Sequence, residues 1–432
     1  MASPQIIPRF LRKSGILFTT MLAMMSFTVI TPFYSAIAVR QGIPESLIGY
    51  IFSAFPIASF IISFILPKIM IIIGRTPVYI FGMCLLAFSN LTISNLPYIY
   101  GHWAIFLSFI SRISSGLGSA CETISSYAIL TSDYPEDINQ LISFIEIIGG
   151  LGAILGPTVG SMLFALSGFT NSCFYVGLGI LIWIPGIYYI IGPSRPYVIS
   201  TDKISLKKIW TKPKILLDSF MQFLVMFTVG YMLPNIEFHL LSFGVPEENI
   251  GLWFNIYTFG YIFGSTIVPF LPKSIDKTNV MIFGLFTITL AYLLLGPCPW
   301  IFPKNFGIVC VGLALTGLSL GLIYVPSLPH MIEMGYMEYG FKKDDRLNDT
   351  LSEITNISLC VGEIVGPIAG AYMPLILGYE YASTVLAVVY FAYACVYLAF
   401  RCKKPLDIGI KDKELDSDVF ETEKSSLELV NM

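Results

Sequence analysis

The amino-acid sequence predicts an all-α polytopic membrane protein with twelve transmembrane helices in two pseudo-symmetric six-helix bundles. Three observations carry this. Of 432 residues, 55% are hydrophobic and only 12% charged, whereas soluble domains are nearer a quarter charged. The charges sit between long apolar runs, as expected where an unpaired charge in hydrocarbon is costly. One glycine–proline motif also recurs half a chain apart.

Runs long enough for the ~20 residues that cross the hydrocarbon cover 15–38, 47–66, 77–96, 104–130, 141–166 and 172–192 in the first half. In the second half they cover 215–238, 250–271, 279–297, 306–330, 350–374 and 381–400. The runs are continuously apolar, unlike the alternating strands of a membrane barrel. The first is too long for a signal-peptide core and lacks a convincing cleavage site, so it reads as span 1.

Basic residues set the orientation. With the N-terminus in the cytoplasm, three Lys or Arg precede span 1, and two follow span 2. Six follow span 6, two follow span 8, three follow span 10 and six lie in the tail, so 22 of 25 are cytoplasmic. Only Arg40 and Lys304 fall on the opposite side, and Arg112 lies inside span 4. The expected organisation is a bundle at 1–192, a cytoplasmic linker at 193–214, a second bundle at 215–400, and a polar, disordered cytoplasmic tail at 401–432.

Gly-Pro-x-x-Gly occurs at Gly156-Pro157-Gly160 in span 5 and at Gly366-Pro367-Gly370 in span 11. Gly152, Gly156 and Gly160 repeat every four residues and so share one helix face, which allows close approach of another helix. Pro157 and Pro367 each remove a backbone hydrogen bond and bend the helix. A smooth, bent helix suits an interface where two bundles rock, so these residues are expected to form the conformational motif.

Span 4 adds Arg112-x-x-x-Gly116-x-Gly118-x-Ala120. With Gly-Pro-x-x-Gly in span 5, the chain resembles the proton-antiporter branch of the major facilitator superfamily over about residues 15–400. Further segments resemble the vesicular amine transporter family, nearest its polyamine-transporter branch. They are Pro32-Phe33-Tyr34, Ile48-Gly49-Tyr50-Ile51-Phe52-Ser53, Glu146 ahead of Gly150-Leu151-Gly152, Leu295-Gly296-Pro297, and Gly317-Leu318-Ser319 with Pro326. The sequence departs from the family in two places. The loop after span 2 keeps only Gly74-Arg75, with Pro67, Ile71 and Ile72 where the superfamily usually has Gly, Asp and Arg. Span 1 also lacks the aspartate of the monoamine members, which argues against monoamine substrates.

Intramembrane charges are functional candidates by default. Arg112 stays protonated and needs an acceptor. A carboxylate that alternates between pairing with it and holding a proton would couple transport to protons. Glu146 is the leading candidate, on the family pattern. Glu122 and Glu363 are the candidate carboxylates for a cationic substrate, and Tyr34, Tyr257, Tyr261 and Tyr324 could add cation–π contacts. Asp218, Glu237 and Glu353 lie nearer span ends.

Other matches carry less. Gly317-Leu-Ser-Leu-Gly321 lies inside an apolar helix and lacks the strand–turn–helix of a hydrolase elbow. His102, His239 and His330 read as isolated, the scattered cysteines give no zinc or disulfide pattern, and no cofactor, resident metal or enzymatic activity is expected. A net charge of −3 points away from nucleic acid. The expected partners are the bilayer, protons and a small substrate, most simply a cationic amine carried by a monomer. The family places such a protein in an acidic vesicle or endolysosomal membrane, with the plasma membrane as alternative. A drug or metabolite antiporter, or a non-transporting sensor on the same scaffold, are the competing readings.

Overall fold

The computed structural model describes residues 8–134, 138–192, 209, 212–272, 275–298, 300–341 and 345–402. Most of the linker and the tail beyond Cys402 lie outside them. Span 1 is Arg9–Thr28 continued by Tyr34–Arg40, and span 7 is Pro213–Met232 continued by Ile236–Leu241. Each break holds a proline, Pro32 or Pro234, which cannot donate to the helix ladder. Spans 2, 3 and 4 are Glu45–Ser63, Arg75–Ile93 and His102–Asp133, with a short helix Leu66–Ile73 before span 3. Spans 5 and 6 share one run, Ile138–Ile191, divided at Gly168, whose φ of 74° suits glycine. Spans 8 to 12 are Ile250–Ile267, Lys277–Leu295, Phe306–Met337, Asp345–Leu377 and Tyr379–Cys402.

Nine helices among the described residues are long and apolar enough to cross a membrane. One of these is the double span divided at Gly168. The remaining crossings are span 1, basic at its start and cut at Pro32, and span 8, whose apolar run is diluted by Asn255, Tyr257 and Thr258. Spans 4 and 10 are 32 residues each, longer than their apolar runs implied.

Two buried apolar clusters organise the chain. One draws on spans 1 to 6 with Leu233 added, the other on spans 7 to 12. Around them large apolar side chains stay exposed, among them Phe106, Leu166, Ile182, Phe259 and Val388, as lipid contact requires.

The glycine stripes act inside each half. A Cβ at Gly152 would lie 2.4 Å from the Met21 carbonyl oxygen, and one at Gly160 2.5 Å from that of Val29. Span 5 therefore packs on span 1. In the second half a Cβ at Gly362, Gly366 or Gly370 would fall 2.2, 2.6 or 2.4 Å from the carbonyls of Phe223, Phe227 and Tyr231, so span 11 packs on span 7. Each four-residue stripe therefore seats against a parallel neighbour in its own half.

The prolines of the motif meet the other half. A Cβ at Gly49 of span 2 would lie 2.4 Å from the Pro367 carbonyl, and one at Gly251 of span 8 2.6 Å from the Pro157 carbonyl. One turn on, Ser53 Oγ donates to the Ile364 carbonyl at 2.6 Å, and Asn255 Nδ2 donates to Thr158 Oγ1 at 2.7 Å. Gly49 on Pro367 thus mirrors Gly251 on Pro157, while the bonds one turn on reach three residues before Pro367 and one residue after Pro157.

Candidate functional site

The seam between the halves is held at the face carrying loops 1–2 and 7–8. Besides the two glycine–proline contacts, the Ala36 N–H donates to Glu237 Oε2 at 3.0 Å, and Arg40 pairs with Glu247. At the opposite face, where span 1 begins and span 12 ends, the described ion pairs each stay inside one half: Arg12–Asp133 at 3.1 Å, Lys214–Glu338 at 2.6 Å and Lys277–Glu333 at 2.8 Å. At that same face Arg75, the remnant of the loop motif, donates from Nη1 to the Ala128 carbonyl at 2.7 Å and so closes the end of span 4.

Glu363 lies on this seam. Successive helix residues turn by about 100°. On span 11, Gly362, Gly366 and Gly370 face span 7, while Ile364, Pro367 and Ala371 face span 2. Val361 and Val365 are the lipid side, 40% and 39% exposed. Glu363 falls on the arc between the span 7 and span 2 faces, away from lipid. Among the described residues nothing hydrogen-bonds or ion-pairs with its carboxylate.

Arg112 is buried, 1% exposed, and sits deep in the first half. Its guanidinium lies 4.5 Å from the Phe52 ring centroid, 5.3 Å from Tyr34 and 5.7 Å from Phe27. Nε and Nη2 make no hydrogen bond among the described residues. An unsatisfied buried donor costs ~1–3 kcal/mol, and a desolvated cation–π contact returns ~2 kcal/mol, so three rings hold the charge without a carboxylate. Tyr34, fully buried and edge-on to Phe52 at 5.4 Å, serves Arg112.

Because Arg112 is held at a cost, Arg112→Met is expected to leave the melting temperature unchanged or raise it, equivalent to ~1–4 kcal/mol, while transport falls. A large drop in melting temperature in detergent would show that the arginine is there for stability.

Glu122 is also fully buried, but in a hydroxyl cradle. Its Oε1 accepts from Thr20 at 2.9 Å and Ser126 at 2.8 Å, and Oε2 accepts from Thr123 at 3.3 Å. Spans 1 and 4 enclose it, so the structure does not bring it to the seam beside Glu363.

The Glu146 side chain lies outside those described, but its helix is placed. Three residues on, Gly149 faces Thr20, the donor to Glu122. Glu146 therefore belongs to the depth of Glu122, ten residues or about 15 Å along span 4 from Arg112. The structure does not bring Arg112 and the Glu146 backbone together.

Tyr257 and Tyr261 meet span 10 through their backbones. A Cβ at Gly317 of span 10 would lie 1.8 Å from the Tyr257 carbonyl, and one at Gly321 2.8 Å from that of Tyr261, so spans 8 and 10 touch backbone to backbone. Tyr324, seven residues after Gly317, lies between the face of span 10 toward span 8 and the face carrying Ser327, which bonds Gln222 of span 7.

His330, expected to be isolated, pairs with Asp218 at 2.7 Å. His239 stacks on Tyr379 at 3.8 Å.

The Major Facilitator Superfamily family model matches residues 16–335. The chain belongs to this superfamily. Among its relatives, the mouse MFS-type transporter SLC18B1 is 25% identical over 365 residues, 83% of this chain and 79% of its own. The human protein of that name is 24% identical over 368 residues, covering 84% and 80%. The mouse synaptic vesicular amine transporter is 21% identical over 323 residues, 72% of this chain and 59% of its own. In structure the superfamily member is similar to the nucleoside transporter NupG, with a TM-score of 0.69 at 14% identity over 91% of this chain and 100% of that one. A bacterial homologue of the human lysosomal transporter Spinster gives 0.67 at 13% identity over 93% and 98%. At these identities the likeness shows the fold alone. Family and relatives together make this multi-pass membrane protein a secondary transporter, not an enzyme.

Proposed function

We propose that this superfamily member exchanges an organic cation, polyamine-like, for protons by alternating access. The observation that carries this is Glu363: a carboxylate on the seam with no partner among the described residues, in a region otherwise poor in charge, is a counter-ion for a substrate ammonium. Tyr257, Tyr261 and Tyr324 supply π-faces on the same half. The curated relatives include proteins named as vesicular amine transporters, which supports an amine and an acidic vesicle membrane. The basic residues support cytoplasmic termini. Residues 1–192 and 215–400 would be the two moving bodies of a monomer, since one chain supplies both walls of the route.

Glu146 is the proposed proton-carrying carboxylate, with Glu122 at its depth. Arg112 acts at a distance: its unsatisfied N–H groups gain whenever an acceptor reaches them during the cycle. Reconstituted protein with an imposed pH gradient is expected to accumulate labelled spermidine, and Glu146→Gln to abolish the gradient-driven part. Normal gradient-driven uptake in that variant would refute the assignment. No uptake of any cation by the unaltered protein would favour another substrate class or a sensor.

A further inference from the structure

Four spans of the second half meet at a buried acid–imidazole pair that the route above does not use. Asp218 of span 7 is fully buried, and its Oδ2 lies 2.7 Å from His330 Nδ1 on span 10. Its Oδ1 accepts from the Tyr397 hydroxyl of span 12 at 2.7 Å. The far imidazole nitrogen, Nε2, is 3.1 Å from Thr278 Oγ1, at the start of span 9. Deeper in the membrane, Gln222 bonds Ser327 and joins spans 7 and 10 again.

The partners fix the tautomer. A carboxylate only accepts, so Nδ1 carries the hydrogen. Nε2 faces a hydroxyl, which donates or accepts as its hydrogen rotates. Neutral imidazole accepts from Thr278, and imidazolium donates to it. One proton can enter or leave with every hydrogen bond kept, a property a carbonyl or ammonium partner would not give. The path outward is short, because the His330 side chain keeps 13% exposure while Asp218 has none.

Asp276 and Glu333 also lie within electrostatic reach of His330. Lys277 pairs with Glu333, and Lys214 with Glu338. Asp276 accepts from the Thr278 N–H at 3.0 Å. Tyr393 of span 12 donates to the Leu217 carbonyl at 2.6 Å, and the Tyr339 oxygen accepts from the Lys214 N–H at 3.3 Å. Span 11 brings the Thr355 hydroxyl onto the Met331 sulfur at 3.7 Å.

We propose that Asp218 and His330 form a second proton-binding site, which fills and empties at the face where span 12 ends. A water-borne proton bonds to Nε2, the Thr278 hydroxyl turns, and the resulting imidazolium–carboxylate pair draws spans 7 and 10 together. Loss of the proton weakens that tie and frees the two spans to separate. The inference rests on the proton-coupled reading above.

The chain holds three histidines, so imidazole nitrogen NMR of the full-length protein in nanodiscs resolves each, and His330→Gln assigns the signal. The His330 signal is expected to titrate within the range where a histidine side chain changes charge, and Asp218→Asn to displace that titration. In proteoliposomes His330→Gln is expected to lose at least about tenfold of gradient-driven spermidine uptake while keeping spermidine–spermidine exchange at equal pH. A His330 signal that stays constant over that range, or wild-type gradient-driven uptake in His330→Gln, overturns the site. Should His330→Gln lose exchange too, Thr278→Val decides: a displaced titration supports the site and an unchanged one overturns it. If the unaltered protein moves no spermidine, the substrate reading fails by itself, and the titration arm still decides this one.

Discussion

Glu363→Gln is expected to reduce uptake of a cationic substrate at least about a hundredfold while the protein remains folded. Two unit charges ~4 Å apart attract by about 4 kcal/mol at an effective dielectric of 20, and each 1.4 kcal/mol is a factor of ten. Desolvating the ammonium takes back part of this, which leaves roughly two decades. Stability should hold, because glutamine matches the volume of glutamate and the lost charge had no partner among the described residues. Labelled-substrate uptake in proteoliposomes, beside a melting curve in detergent, checks both halves of the claim. Uptake within about twofold of the unaltered protein would move the substrate's counter-ion off span 11.

Gly49→Val is expected to prop open the mouth on the side of loops 1–2 and 7–8. A Cβ there would meet the Pro367 carbonyl at 2.4 Å, the Ala371 Cβ at 2.7 Å and the Ile368 Cα at 3.0 Å. Two of those are backbone, so only separation of spans 2 and 11 relieves the clash. The expected result is labelling by an impermeant thiol reagent of a cysteine placed at Ser53 in a cysteine-depleted background, with transport down at least about tenfold. Gly156→Val is the contrast. Its Cβ would strike Thr28 Oγ1 at 1.8 Å inside the first half. Overpacking of that kind costs ~1–3 kcal/mol or more, so it should lower the melting temperature without exposing Ser53. Equal behaviour of the two variants would show that the glycine stripes and the seam are not separate devices.

The span pattern and the half-chain repeat were legible because both are periodic along the chain. Apolar length gives a crossing, and the 210-residue offset between Gly156 and Gly366 gives the duplication. What periodicity does not specify is the neighbour. Spacing placed Gly152, Gly156 and Gly160 on one face correctly, but that the face meets span 1 depends on tertiary arrangement. Arg112 stood out as a charge in an apolar run, while its three aromatic partners come from two other spans. Asp218 and His330 lie 112 residues apart and looked like unrelated polar residues at span ends. The polarity of His330 next to Pro329, inside a helix that runs on to Met337, was the available clue. Glu122 looked equivalent to Glu363 by composition, and only the hydroxyls of Thr20 and Ser126 separate a satisfied carboxylate from an unpaired one.

Spans 5 and 6 are joined by a single non-helical residue, Gly168. A linkage that short has no slack, so it behaves as a stiff elbow. Any slide of Pro157 past Gly251 is delivered along span 5 to the elbow and returned down span 6. Five residues below the elbow sits Cys173, within electrostatic reach of Arg112. Displacement at the seam thereby becomes torque on the wall around the buried guanidinium, by lever action alone.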